Sequence, residues 1–236
     1  MRQFSLLLVL ALVAPACQSS VSKGAVSAPA PAPLHANADN VGILIFDGLF
    51  ITEFTAPFDV YKHAGDKMNV FTVGLTRAPI KTYEGVVLQP DYDVHTAPKI
   101  DVLVVPSGAD STSKDLQNET LIGFVKDSAK SARFVTSHCW GAFTLAGAGC
   151  LKDRECTTFP TSIDDLQSKF PEVRARKDGR YVVSDKFITS NGGLAAFEAA
   201  LHVVEAMYGR ETADKVASGM VFAEQNRAYS IQPQLR

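Results

Sequence analysis

The stretch FVTSHCWGAF, residues 134–143, sets one cysteine between a short apolar run and a Gly-Ala pair. Around Cys139 the order is small, any, nucleophile, any, small (Ser137-His138-Cys139-Trp140-Gly141). That is the layout of a nucleophile elbow, where a strand passes sharply into a helix and presents its central side chain. The central residue is held in a strained conformation, and small neighbours are needed because the backbone passes close to itself. A thiol placed there sits at a helix N-terminus, which favours thiolate and lowers the pKa from about 8.5. The N–H of Trp140 points to where an oxyanion would form, and the N–H of Gly108 is a candidate second donor.

Plainer readings of Cys139 stand beside this one. Buried cysteine is common as a small hydrophobe, and an oxidising compartment permits disulfides. Cys150 lies at the far end of the helix that would start at the elbow, about 15 Å away at 1.5 Å per residue, beyond bridging range. Cys150 with Cys156 is the better-placed pair, with two free thiols as the alternative. No C-x-x-C and no His pair at helical spacing occurs among the five histidines, so metal binding is poorly supported. Neither a metal nor an organic cofactor is expected.

An acid is the natural companion of such a thiol. Glu53 is either an ordinary exposed carboxylate or, held near Phe50 and Phe54, a protonated proton carrier for Cys139. His138 is placed with Ser107 and Phe159 around the pocket, but successive strand residues face opposite sides. It is therefore not expected to be the base for Cys139. His202, on an apolar helix, reads as a satisfied core histidine.

The elements that must position these residues alternate between strand and helix. VGILIF (41–46), MNVFTVG (68–74), DVLVVPSG (101–108) and RFVTS (133–137) read as strands, the first and third as buried on both faces. A hairpin is expected around YEGVVLQPDYDV. The helix of APFDVYKHAG is expected to start near Pro57 with Thr55 as its cap, carrying a stripe of Phe54, Phe58 and Tyr61. NETLIGFVKDSAKSA (118–132) is amphipathic, GAFTLAGAG follows the elbow, residues 155–190 are β-rich, and LAAFEAALHVVEAMYG ends at Gly209. This order predicts an α/β fold with a mainly parallel sheet covered on both faces. Ligands in such sheets bind beyond the carboxyl ends of the strands, which is where Glu53, Ser107, Gly108, His138 and Cys139 fall.

The N-terminus reads as a targeting segment. Arg2, an apolar run from Phe4 to Val13 and small residues at Ala14-Pro15-Ala16 describe a secretory signal over residues 1–16, too short to span a bilayer. Cleavage after Ala16 would leave Cys17 first, as in a bacterial lipoprotein signal where the thiol is lipidated; plain secretion is the alternative. Periplasmic or membrane-anchored localisation is expected, with any membrane contact through that anchor. Residues 17–38, rich in Ala, Pro and Ser, read as an unfolded tether, and residues 39–236 as one domain. With 23 basic and 25 acidic residues and no basic cluster, nucleic acid is not an expected partner.

Taken in order, VGILIFDGLFITEFTAPFDV, VLVVPSGA, VTSHCWGAFTLAGAGCLKDRECTTFP and FITSNGGLAAFEAALHVVEAMYG resemble the ThiJ/PfpI superfamily over about residues 40–222. The nearest branch holds isonitrile hydratases and the amidase-like domains of some transcription regulators. The resemblance implies a flavodoxin-like three-layer sandwich, a homodimer, Cys139 as nucleophile, Glu53 as its acidic partner, and Gly108 and Trp140 as backbone donors. Three positions depart from the pattern. Ser107 replaces the first glycine of a Gly-Gly turn, Trp140 a small residue, and Phe159 the histidine of a TTHW stretch. The spacing His202-Val-Val-Glu205 lacks the His-Pro-Glu of class I glutamine amidotransferases. No helix-turn-helix segment is read before Arg236, so a DNA-binding regulator is not expected.

Three functions compete on this reading. One is a cysteine-dependent enzyme hydrating a small electrophile, an isonitrile or a 2-oxoaldehyde, with Cys139 forming the adduct and Glu53 moving the proton. The others are a non-catalytic module binding a small ligand, and an oxidation sensor in which Cys139 becomes a sulfenic or sulfinic acid.

Overall fold

The computed structural model describes residues 29–222; the expected signal over residues 1–16 and Cys17 lie outside them. The chain enters the fold through β1 (Asp39–Ile45), where side chains alternate between two buried faces. Val41, Ile43 and Ile45 pack on one side, Leu44 and the following Phe46 on the other. A strand apolar on both faces must lie inside a sheet covered twice, and this one does.

Helix α1 (Ile51–His63) starts earlier than Pro57 suggests. Phe50 is its N-cap, Pro57 lies inside the helix, and Thr55 bonds back to the Ile51 carbonyl instead of capping. The first-turn N–H of Ile51 is satisfied from a distance, by Glu84 Oε2 at 3.1 Å. Pro57 has no N–H to give the Glu53 carbonyl one turn earlier, a local cost offset by burial of Phe54, Val60 and Tyr61.

Strand β2 (Met68–Gly74) runs parallel to β1 along all seven residues. The expected hairpin is the short antiparallel pair β3 (Ile80–Lys81) and β4 (Val87–Leu88), and β5 (Tyr92–Asp93) then joins the edge of the main sheet. From that edge the chain crosses to the other side of β1 as β6 (Val102–Val105). Helix α2 (Glu119–Ser131), capped by the Asn118 side chain on the Leu121 N–H, leads to β7 (Phe134–His138) and the elbow helix α3 (Gly141–Gly147). The β-rich patch is more mixed than its sequence suggests. It holds β8 (Glu155–Cys156), α4 (Ile163–Lys169) and β9 (Arg174–Ala175) before the antiparallel pair β10 (Tyr181–Ser184) and β11 (Phe187–Ser190). Helices α5 (Leu194–Tyr208) and α6 (Arg210–Gly219) close the described chain, the second of them unanticipated.

The seven-stranded sheet runs β10-β11-β7-β6-β1-β2-β5, parallel except for β10. Residues of α1, α5 and α6 form the core on one face, and residues of α2, α3 and α4 the core on the other. This is a flavodoxin-like three-layer α/β sandwich. The direction of sheet growth reverses beside β1, so the carboxyl ends of β1, β6 and β7 open on one crevice.

Part of the expected tether is fastened to the domain. The His35 N–H donates to Asn69 Oδ1 at 2.8 Å and its carbonyl accepts from Asn69 Nδ2 at 3.0 Å. Residues 31–35 wall a cavity of about 420 Å³ against α1 and β2. An Ala/Pro/Ser-rich segment has little apolar surface of its own, but here a buried asparagine supplies the anchoring bonds. Cys139, Cys150 and Cys156 are all free thiols, so the Cys150–Cys156 bridge is not formed. No helix among the described residues is long and apolar enough to cross a membrane.

Candidate active site

At the end of β7 the backbone turns through Cys139 with φ of +52°, a left-handed conformation in a non-glycine residue. Neighbouring strands hold the turn. The Cys139 N–H donates to the Ser190 carbonyl at 3.0 Å, and its carbonyl accepts from Thr158 Oγ1 at 2.8 Å. Gly141 can only be glycine, because a Cβ there would collide with the Val105 carbonyl oxygen as α3 starts under β6. The strained elbow expected from the small-any-Cys-any-small pattern is present.

Glu53 reaches the same point from the first turn of α1. It is only 6% exposed, and Oε1 accepts the Gly193 N–H at 3.0 Å while Oε2 is buried without a partner. Gly192 lies between acid and thiol. A Cβ on it would stand 2.6 Å from the Cys139 Cβ, 2.7 Å from Glu53 Oε1 and 3.0 Å from Oε2. With φ of +89°, this residue is glycine for both conformational and steric reasons. The two side chains that sequence reading paired are therefore brought together around one glycine.

The thiol's protonation differs from the expectation, while that of Glu53 follows it in direction. Burial, and then the Glu53 charge, push the Cys139 thiol up to about 11, against the opposing pull of Ser107 and the Trp140 N–H. The expected lowering by a helix N-terminus fails because α3 has only seven residues and the thiol is 8% exposed. Desolvation of the thiolate outweighs the field of so short a helix. Burial also raises Glu53, with the Gly193 N–H opposing. The Glu53 charge thus adds to the cost of ionising the neighbouring thiol.

Two more expectations are corrected. The Gly108 N–H is not free for an oxyanion, since it donates to Ser111 Oγ at 2.8 Å in the turn after β6. His138 does not line an open pocket; it is fully buried, with Nδ1 2.9 Å from Ser190 Oγ. Burial brings its pKa down to about 3, so it is a neutral imidazole and not a base for Cys139. Ser107 is fully buried, its hydroxyl beside the Cys139 sulfur and its carbonyl accepting from the Phe50 N–H.

Beside the thiol lies a row of aromatic rings. Trp140 packs on Phe159 at 6.2 Å and on Phe50 at 5.9 Å between centroids, and Phe50 meets Tyr83 at 5.1 Å. Trp140 Nε1 donates to Ser162 Oγ at 2.9 Å, which fixes the indole. Tyr83 and Ser162 were not marked by sequence, and neither were Ser190, Gly192 and Gly193. For the last three a signal existed, since a Ser-Asn-Gly-Gly turn at the end of a strand meets the same carboxyl-end rule that selected Cys139. Among the described residues, no cluster of three or more His, Cys, Asp or Glu side chains is arranged to hold a metal ion.

Comparison with known proteins places this fold in a family. The chain is 29% identical over 184 residues to an isonitrile hydratase of Pseudomonas putida, covering 78% of each. It is 30% identical over 191 residues to Protein DJ-1alpha of Drosophila melanogaster, covering 78% of this chain and 85% of that one. A 22% identical relative, the HTH-type transcriptional regulator GbdR of Pseudomonas aeruginosa, is matched over only 54% of its length. Among solved structures, a ThiJ/PfpI family protein from Pseudomonas syringae superposes with a TM-score of 0.73 at 20% identity, over 89% of this chain and 83% of that one. Drosophila melanogaster DJ-1beta superposes at 0.71 and 23%, over 79% and 99%. Residues 39–206 match the DJ-1/PfpI family as a whole, and the chain belongs to that family.

Proposed function

We propose that this protein is a cysteine-dependent hydratase of small, uncharged electrophiles, with an isonitrile as the best-fitting class. The observation that carries the reading is the meeting of Cys139 and Glu53 around Gly192. A thiol that stays protonated needs a base within reach, and burial makes the Glu53 carboxylate a stronger base than an exposed one. As sulfur attacks the terminal isonitrile carbon, Glu53 takes the S–H proton and returns it to that carbon. A C–S and a C–H bond form, an S–H bond breaks, and a thioformimidate is held on Cys139. Water then adds to the same carbon, its oxygen forming the new C–O bond and one proton passing to nitrogen. The C–S bond breaks as C=O forms, the remaining hydroxyl proton returns through Glu53 to sulfur, and the N-substituted formamide leaves. Net, one water adds to one isonitrile.

The engaged Gly108 N–H favours this chemistry over acyl transfer. A tetrahedral oxyanion calls for two preorganised donors, whereas addition to an isonitrile places its charge on a carbon that an acid can protonate. The aromatic row of Trp140, Phe159 and Phe50 suits an apolar substituent on the nitrogen. The similarity to the isonitrile hydratase supports the same class. Export through residues 1–16, with or without a lipid on Cys17, and assembly as a homodimer belong to the same proposal.

The test is formamide production from simple alkyl and aryl isonitriles, followed by NMR. Turnover that disappears in Cys139→Ser supports the reading; consumption at an unchanged rate in that variant refutes it. A second reading, oxidation sensing, draws on the buried, unpartnered Glu53 Oε2, which could donate to an oxygen carried by Cys139 sulfur. Peroxide-dependent gain of oxygen at Cys139, without formamide turnover, would favour it.

A further inference from the structure

Ser190 touches both sides of the site without facing a substrate. Its carbonyl accepts the Cys139 N–H at 3.0 Å, which fixes the elbow. Its hydroxyl accepts the Gly192 N–H at 3.3 Å and lies 2.9 Å from His138 Nδ1. The next peptide carries the Gly193 N–H that holds Glu53 Oε1. Gly192 and Gly193 both have positive φ, and a Gly-Gly pair is the least conformationally restrained backbone available. Its outer side is tied by Asn191, which bonds Thr157 Oγ1 and the Gly179 carbonyl. Ser190 Oγ thus bonds Gly192 directly, one peptide before the N–H that holds Glu53.

The partner of that hydroxyl is unusual. His138 is neutral and fully buried, and its Nε2 bonds to nothing. A buried imidazole with one unsatisfied nitrogen is a costly way to fill a core, and a leucine would avoid the cost. What the imidazole supplies is a rigid partner for Ser190 Oγ. Since that oxygen already accepts from Gly192, its own hydrogen is free to be donated to Nδ1.

We propose that Ser190, gripped by His138, is the positioning residue that keeps the Gly193 N–H on Glu53 and thereby holds acid and thiol in register. The inference rests on the thiol–acid pairing argued above. It needs no particular substrate.

The test is the rate of Cys139 alkylation by iodoacetamide against pH, mapped by mass spectrometry on folded protein. Ionisation of Glu53 gives this profile an inflection that Glu53→Gln removes. Ser190→Ala keeps the backbone carbonyl but frees the Gly-Gly pair, so Glu53 loses the bond that favours its charged form. The inflection should move up by about one pH unit, the effect of one charge-assisted hydrogen bond. In the Glu53→Gln background, Ser190→Ala should change the rate less than about twofold, because its route of action is gone. His138→Leu should shift the inflection in the same direction and His138→Asn, which restores a polar partner, should bring it back. These two variants decide the matter if Ser190→Ala does not fold. An unmoved inflection in the folded variants, or an equal effect of Ser190→Ala with and without Glu53, overturns the inference. A wild-type profile identical to that of Glu53→Gln would instead overturn the thiol–acid pairing.

Discussion

Acid should weaken the fold through one buried histidine. His138 is completely buried on β7, and its imidazole resists protonation down to about pH 3. In the unfolded chain the same group takes up a proton near pH 6.5. Between those values the unfolded state binds more protons than the folded one, so stability falls as pH falls. The loss is about 1.4 kcal/mol per pH unit below 6.5, which amounts to about 2 kcal/mol between pH 7 and pH 5. Other groups act in the opposite direction. Glu53 and Glu198 have raised folded pKa values, so they gain stability as pH falls and mask part of the loss. Comparison with His138→Gln removes them from the result. Urea unfolding of both proteins at pH 7 and pH 5 should show the cost of the substitution shrinking by about 2 kcal/mol at the lower pH. A difference that stays constant across the range would mean that His138 is charged, or open to water, in the folded protein.

Other expectations follow from the same site. At pH 7.5 Cys139 should alkylate far more slowly than a free thiol, since burial and Glu53 hold it at about 11; peptide-mapped iodoacetamide kinetics before and after denaturation would measure this. Gly192→Ala, whose methyl would press on Cys139 and Glu53, should cost about a hundredfold in formamide turnover, read by steady-state kinetics. Trp140→Ala removes the Ser162 bond and two ring contacts, and should destabilise the domain by about 2 kcal/mol while letting bulky maleimides reach Cys139 faster. Leu166→Ala, at a fully buried position under the sheet and far from the chemistry, should cost about 2–5 kcal/mol in denaturant unfolding and leave the Cys139 alkylation profile unchanged.

Much of this fold could be read in advance because the sheet is buried twice. β1 and β6 have apolar side chains on both faces, and their runs of Val, Ile and Leu announce this in the sequence. What escaped reading was decided by partners distant in the chain. The start of α1 has no local capping side chain; Glu84, beyond the next two strands, serves the Ile51 N–H instead. The Thr55 hydroxyl, which looks like a cap, is used inside the helix. The site divides in the same way. Cys139 and Glu53 could be found because each lies at the carboxyl end of a strand in a sheet of known direction. The Gly108 N–H was lost to Ser111, a contact across a turn that spacing alone does not reveal. The protonation of Cys139 depends on how much water α1 and the Gly-Gly turn exclude, and no local pattern reports that.

The central claim is a covalent step at one sulfur, and trapping that bond tests it most directly. Protein mixed with an aryl isonitrile, quenched in acid within a turnover and digested, should carry the mass of one isonitrile on the peptide containing Cys139. Cys150 and Cys156 should be unmodified, and no adduct should form in Cys139→Ser. Formamide released at full rate with no modification of Cys139, or with the adduct on another residue, would contradict the account.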